Sequence, residues 1–186
     1  MSLYFIAILP PEALSNRIKK LKLELAENYQ ARRALKLPAH ITLQIPFRMS
    51  KTREEKLHKI LRDFAENQEP FEIKTAGFGR FSRKVLFIAI AENPEMVQLH
   101  QKLQKSLDKN LRLKENEKGN NFHPHFTLAT RDLSIKNFEP AWKELKDRGF
   151  KASFTAESLV LFKHNGKTWD CFGEFFFNKP STTTSN

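Results

Sequence analysis

Apolar positions along the chain switch between two spacings, and the switches mark out alternating strands and helices. Leu3–Leu9 is a short apolar run closed by Pro10-Pro11, which predicts a first strand. Leu14, Ile18, Leu21 and Leu25 then recur every three or four residues, the single buried stripe of an amphipathic helix. A basic loop (Arg32, Arg33, Lys36) and Pro38 lead into a strand predicted from His40 to Phe47. Leu57, Ile60, Leu61 and Phe64 give a second helix. Phe71–Phe78 and Val85–Ala91 read as strands, joined by a turn carrying Gly77, Gly79, Arg80, Arg83 and Lys84.

Pro94 suits the first turn of a third helix, whose stripe is Met96, Leu99, Leu103 and Leu107. The polar stretch Lys114–Asn121 is a loop, and His123–Thr130 is the next strand. Phe138, Trp142 and Leu145 mark a short helix ending at Gly149. Two closing strands, Ser153–Phe162 and Thr168–Phe177, flank Asn165-Gly166, a hairpin signal. From Pro180 the chain is Ser/Thr-rich, so 180–186 is expected to be a disordered tail to a single unit spanning 1–179. This mixture of hairpins and helical crossovers predicts an α+β fold with largely antiparallel sheet. Helices would cover one face of each sheet and leave the other free for a site.

Composition narrows the function only a little. No apolar run reaches the roughly 18 residues of a membrane span, and Leu3–Leu9 lacks the basic flank and cleavage site of a signal peptide. The one cysteine, Cys171, excludes an intramolecular disulfide and fits a reducing, cytoplasmic setting. Only Asp170 stands near it as an activating partner, a weak basis for a catalytic thiol. The 32 Lys and Arg against 21 Asp and Glu give +11, which makes an anionic partner such as a nucleic acid plausible.

The chemistry lies in a repeat. His40-Ile41-Thr42-Leu43 and His125-Phe126-Thr127-Leu128 share the pattern His-x-Thr-Leu, although the chain has only six histidines. On a strand, alternate side chains share a face, so each copy sets an imidazole beside a hydroxyl with two apolar anchors behind. Two such strands face to face would surround a tetrahedral phosphate. Histidine titrates near neutrality, so one imidazole can take a proton from water while the other gives one to the leaving oxygen. Thr42 and Thr127 can donate hydrogen bonds to the non-bridging oxygens. A single His-x-Thr on a strand is most often structural; the matched pair is what argues for catalysis. His40, His123 and His125 could instead be imagined around zinc, but no acidic or cysteine ligand has matching spacing. Neither metal nor cofactor is expected.

These residues resemble the two-histidine phosphoesterase superfamily, and within it the RNA 2′,3′-cyclic phosphodiesterases, also called 2′-5′ RNA ligases. The likeness runs through Tyr4-Phe5-Ile6-Ala7 with Pro10-Pro11, Pro38-Ala39-His40-Ile41-Thr42-Leu43, Gly77-Phe78-Gly79-Arg80-Phe81 with Val85-Leu86-Phe87, and Pro124-His125-Phe126-Thr127-Leu128-Ala129. It implies a bilobed α+β fold with a V-shaped cleft and one motif from each lobe. It also implies that His40 is the proton donor to the leaving 3′ oxygen, that His125 is the acceptor that activates water, and that the product is a 2′-phosphate. The partner would be RNA ending in a 2′,3′-cyclic phosphate, or a related nucleotide, and the protein a monomer.

Two places depart from the family pattern. Thr130 stands where an arginine is common, with Arg131 one residue later, and Ile45-Pro46-Phe47 replaces a small turn. Phe78 and Phe81 are candidates to stack on an unpaired base, Arg80 and Arg131 to meet phosphate, and His123 to line the cleft. The alternatives are a small cyclic nucleotide or 2′-5′ linked oligonucleotide as substrate, and an RNA-binding module without catalysis.

Overall fold

Two four-stranded sheets, each antiparallel throughout, carry the chain's polar chemistry on their edges. The computed structural model describes residues 1–119 and 121–178, so the expected tail at 180–186 lies outside the described residues. Sheet one has the order β2 (Ile41–Met49), β1 (Ser2–Ile8), β7 (Ser158–His164), β8 (Trp169–Phe176). Sheet two has the order β5 (His125–Thr130), β4 (Val85–Ile90), β3 (Phe71–Phe81), β6 (Ser153–Ala156). The expected α+β class with two antiparallel sheets is what forms. Both His-x-Thr strands are edge strands, and β2 and β5 approach each other.

The four helices are α1 (Glu12–Tyr29), α2 (Glu54–Ala65), α3 (Pro94–Leu111) and α4 (Ile135–Lys146). None among the described residues is long and apolar enough to cross a membrane. Helices α2 and α4 pack on the sheets they leave, against β8 and β3, whereas the placement of α1 and α3 is crossed. Helix α1 leaves sheet one yet packs on β5 and α4 of sheet two, whereas α3 leaves sheet two and packs on β2 and α2 beside sheet one. Arg148 ties this exchange from the α4 side, 2.9 Å from Glu24 of α1, and the Tyr29 hydroxyl donates to Glu144 at 2.6 Å. One continuous core therefore draws on both sheets and all four helices, through Ile6, Ile18, Leu57, Leu103, Phe126 and Phe138 among others.

Alternation along each strand sorts core from site. Tyr4, Ile6 and Ile8 of β1 enter the main core, while Phe5 and Ala7 face the other way and join Val160 and Phe162 in a separate cluster. In sheet two, Leu86 and Ile88 face the core and Phe87 does not.

Two element boundaries differ from those expected. Strand β3 runs through the expected glycine-basic turn to Phe81, and the reversal is confined to Ser82, Arg83 and Lys84, with Ser82 at φ 45°. The single strand expected over Ser153–Phe162 divides at Glu157 into β6 and β7, which belong to different sheets. The cause is a slip in the alternation: Phe154 and Ala156 are buried, and then Leu159 and Leu161, one residue out of phase. Asn165-Gly166 closes the β7–β8 hairpin as expected, with Gly166 at φ 103° and the Asn165 amide donating to the Thr168 carbonyl at 2.9 Å.

Candidate active site

The two motifs are held alike. Ile41 and Leu43 are buried behind the first, Phe126 and Leu128 behind the second, so each strand's register is pinned by its apolar side chains. His40 sits directly ahead of β2 and His125 opens β5. Thr42 pairs with Ala7 across β1, and Thr127 with Phe87 across β4. Both therefore lie on the sheet faces turned away from the main core. His40, Thr42, His125 and Thr127 are all half-buried.

Each imidazole is fixed by the carbonyl two residues before it. His40 Nδ1 lies 2.9 Å from the Pro38 carbonyl oxygen, and His125 Nδ1 lies 2.6 Å from that of His123. A carbonyl can only accept, so Nδ1 carries the hydrogen in both rings and Nε2 becomes the reacting nitrogen. In the neutral ring Nε2 is a base; in the cation it is an acid. An aromatic ring also braces each: Phe5 is 5.2 Å from His40, and Phe87 and Phe81 are 5.0 and 5.1 Å from His125. Gly79, opposite Phe87, leaves room for that ring, since a Cβ there would run into Phe87 Cε2.

The electrostatic settings are less alike. Burial is the largest influence on His40, and the charges of Lys22 and His125 act in the same direction. The Pro38 hydrogen bond opposes them, and the balance lowers the His40 pKa to about 4. His125 is also lowered, first by burial and then by the charge of His123, against the raising effect of its bond to the His123 carbonyl. The charge of His125 reaches His40 across the gap between the two motifs.

Several expected residues gather here and others do not. Phe81 touches both His123 and His125, and the exposed His123 stands at the rim, its ring 6.3 Å from that of His125. Phe78 packs instead against Phe150 at the main core, and Arg80 stretches over Trp142 of α4 with Glu139 at 3.6 Å. With β3 extended to Phe81, alternation puts Phe81 on the site face and Arg80 on the opposite one. Arg131 is exposed just beyond the end of β5 in a left-handed conformation, φ 53°, so the alternation of the strand no longer governs it. Among the described residues, no three His, Cys, Asp or Glu side chains cluster as metal ligands would.

Sequence reasoning missed three residues. Lys22 is only 4 % exposed, and its ammonium donates to the carbonyls of Ala34 and Leu37 at 3.0 and 3.1 Å. Its signal was present, since Lys22 falls among Ile18, Leu21 and Leu25 on the buried stripe of α1. Phe5 and Trp169 are the others. Phe5 stacks on Phe162 at 4.6 Å and meets the edge of Trp169 at 4.7 Å, which builds an aromatic wall beside His40.

Comparison with known proteins bears on the family and the fold. A family model described as the 2′-5′ RNA ligase superfamily matches residues 10–168. A Geobacillus kaustophilus protein, provisionally named a phosphoesterase, is 27 % identical over 183 residues, covering 96 % of this chain and 98 % of its own. A Bacillus cytotoxicus protein named in the same way is 25 % identical, covering 95 % and 97 %. Among solved structures, TT0787 of Thermus thermophilus superposes with a TM-score of 0.67 at 18 % identity, covering 97 % of this chain and all of that one. E. coli LigT complexed with 3′-AMP superposes with a TM-score of 0.65 at 19 % identity, covering 95 % and 98 %.

Proposed function

Because the chain belongs to the 2′-5′ RNA ligase superfamily, we propose that it hydrolyses RNA 2′,3′-cyclic phosphate ends to 2′-phosphates by histidine acid-base catalysis. The observation that carries this reading is the duplicated imidazole, each ring anchored through Nδ1 to the carbonyl two residues back, with Nε2 as its reacting atom. One Nε2 takes a proton from water, and the water oxygen attacks phosphorus. The bond from phosphorus to the 3′ oxygen breaks, and the other Nε2 supplies the proton that this oxygen needs. The ring strain of the cyclic diester and a ribose leaving group let a proton-transfer pair suffice. Thr42 and Thr127, on the same faces as the imidazoles, donate to the non-bridging oxygens as charge builds there.

Phe81 and His123 at one rim, with Trp169 on the opposite wall, offer apolar faces to an unpaired terminal base. That a protein of like fold was solved with 3′-AMP supports a nucleotide-sized occupant.

The test is turnover of a short RNA ending in a 2′,3′-cyclic phosphate, with EDTA present. Natural protein should open the ring to a 2′-phosphate. Folded His40→Ala and His125→Ala variants should each lose at least about 100-fold in rate. Failure of the natural protein to turn over, or loss of activity in EDTA alone, would remove this reading.

A further inference from the structure

Each motif strand is fastened to the loop that delivers the other motif, by polar side chains that the acid-base chemistry does not use. A bulge in β2 prepares the first fastening. The partners on β1 step once, from Ala7 to Ile6, while those on β2 step twice, from Thr42 to Gln44. Gln44 thereby shares the main-core face of Ile6, away from Thr42, and is fully buried. Its amide donates to the Glu117 carbonyl at 2.6 Å and accepts from the Gln104 amide of α3 at 2.9 Å. Gln104 also donates to the Leu43 carbonyl at 3.2 Å, and the Glu117 carboxylate accepts from the Arg48 N–H of β2 at 2.8 Å. The loop that enters β5 at His125 is thus tied to β2.

The second fastening runs the other way, from the end of β5 to the loop before His40. Arg131, in a left-handed conformation at φ 53°, turns the chain back so that the Asp132 N–H meets the Thr130 carbonyl. That conformation is unfavourable for a residue with a side chain, and here it aims the Asp132 carboxylate at the loop. A single oxygen of Asp132 accepts from the N–H groups of both Arg32 and Arg33, at 2.8 and 2.6 Å. Asp132 is exposed, so these bonds and not burial hold its side chain in place. Further along the same loop Lys22 holds the Ala34 and Leu37 carbonyls, and the Pro38 carbonyl holds His40 Nδ1.

We propose that Gln44 and Asp132 are positioning residues, the two ends of a reciprocal brace that sets the separation and register of the motifs. This rests on the hydrolytic reading above. Each Nδ1 bond fixes an imidazole to its own loop, and it leaves one loop unfixed against the other. Apolar packing admits small slides, whereas a buried and fully paired polar network holds one arrangement. The attacking water, the phosphorus and the leaving oxygen must lie in line between two Nε2 atoms. A displacement of about 1 Å in such a geometry costs on the order of 100-fold in rate. The brace therefore acts on kcat, through the distance between rings that neither Gln44 nor Asp132 touches.

The variants Gln44→Met, Asp132→Ala and Asp132→Asn test this on a short RNA ending in a 2′,3′-cyclic phosphate. Methionine keeps the length of Gln44 and removes its bonds. Asparagine offers one amide oxygen in place of the one Asp132 oxygen that takes both N–H groups. In folded Gln44→Met and Asp132→Ala, kcat should fall at least about 10-fold with KM within about twofold, and Asp132→Asn should be close to natural. If Gln44→Met does not fold, Gln104→Leu breaks the same network from a half-buried place on α3 and should show the same fall. A merely structural role would lower the urea midpoint and leave the kcat of folded molecules alone. That result, a change confined to KM, or an Asp132→Asn variant as slow as Asp132→Ala overturns the proposal. Histidine ring signals in NMR give a reading that needs no turnover. Those of His40 should shift in Asp132→Ala and return in Asp132→Asn, and those of His125 should shift in Gln44→Met or Gln104→Leu. Unmoved ring signals overturn the brace. A natural protein that turns nothing over, with variants that show these shifts, ends the hydrolytic reading and leaves the brace standing.

Discussion

At the residue scale, the burial that encloses His40 makes it a liability in acid, and its anchoring to Pro38 offsets only part of this. Burial first, and the charge of Lys22 after it, lower its pKa to about 4 in the folded protein, against about 6.5 for a free imidazole. The unfolded chain therefore binds this proton first as pH falls. The contribution of His40 to stability is complete above about pH 6.5 and is lost progressively down to about pH 4. His40→Gln cannot titrate, so its urea midpoint should fall less between pH 7 and 4.5 than that of the natural protein. The gap should be about 1–3 kcal/mol, and equal losses in both would refute it. The site was legible at this scale where two residue types recurred at fixed spacing. His40, Thr42, His125 and Thr127 could be picked out because the pattern appears twice. Lys22 was legible only as a lysine on the apolar stripe of α1; what its ammonium holds emerges once the loop closes over it.

At the element scale, period-two alternation gave the strands their faces but not their partners or their ends. Phe81 and Arg80 are neighbours in sequence, and only the extension of β3 past Gly79 decides that Phe81 meets His125 while Arg80 crosses to α4. The division of the last long strand at Glu157 was written in its slipped alternation, whereas the assignment of its halves to separate sheets depends on pairings remote in sequence. Gly79 tests how tightly an element positions the site. A methyl group there would strike the Phe87 ring that braces His125. Gly79→Ala should lower stability by about 1–3 kcal/mol through overpacking and reduce turnover as Phe87 is displaced. Unchanged urea midpoints and rates would show that the ring has room to yield.

At the scale of the whole molecule, the exchange of helices determines how the two motif-bearing sheets can move. Sheet one is packed by α3, which grows out of sheet two, and sheet two by α1, which grows out of sheet one. Neither sheet can lose its exchanged helix without disturbing the other, and among the described residues the main core runs continuously through both halves. For a pair of edge strands that must keep two imidazoles in register, this is a mechanical advantage: β2 and β5 are held by one packing unit. The prediction is a single cooperative transition, and the chain's two tryptophans can report on it separately. Trp169 lies on β8 of sheet one, against Phe5, and Trp142 lies on α4 beside sheet two, under Arg80. In the single-tryptophan variants Trp142→Phe and Trp169→Phe, urea unfolding followed by fluorescence should coincide with far-ultraviolet circular dichroism of the same variant. Each substitution shifts stability by its own amount, so the comparison is made within a variant. A tryptophan whose transition precedes the loss of helix would show that its sheet opens independently, and the two motifs would then be held by hinged halves and not by a shared core.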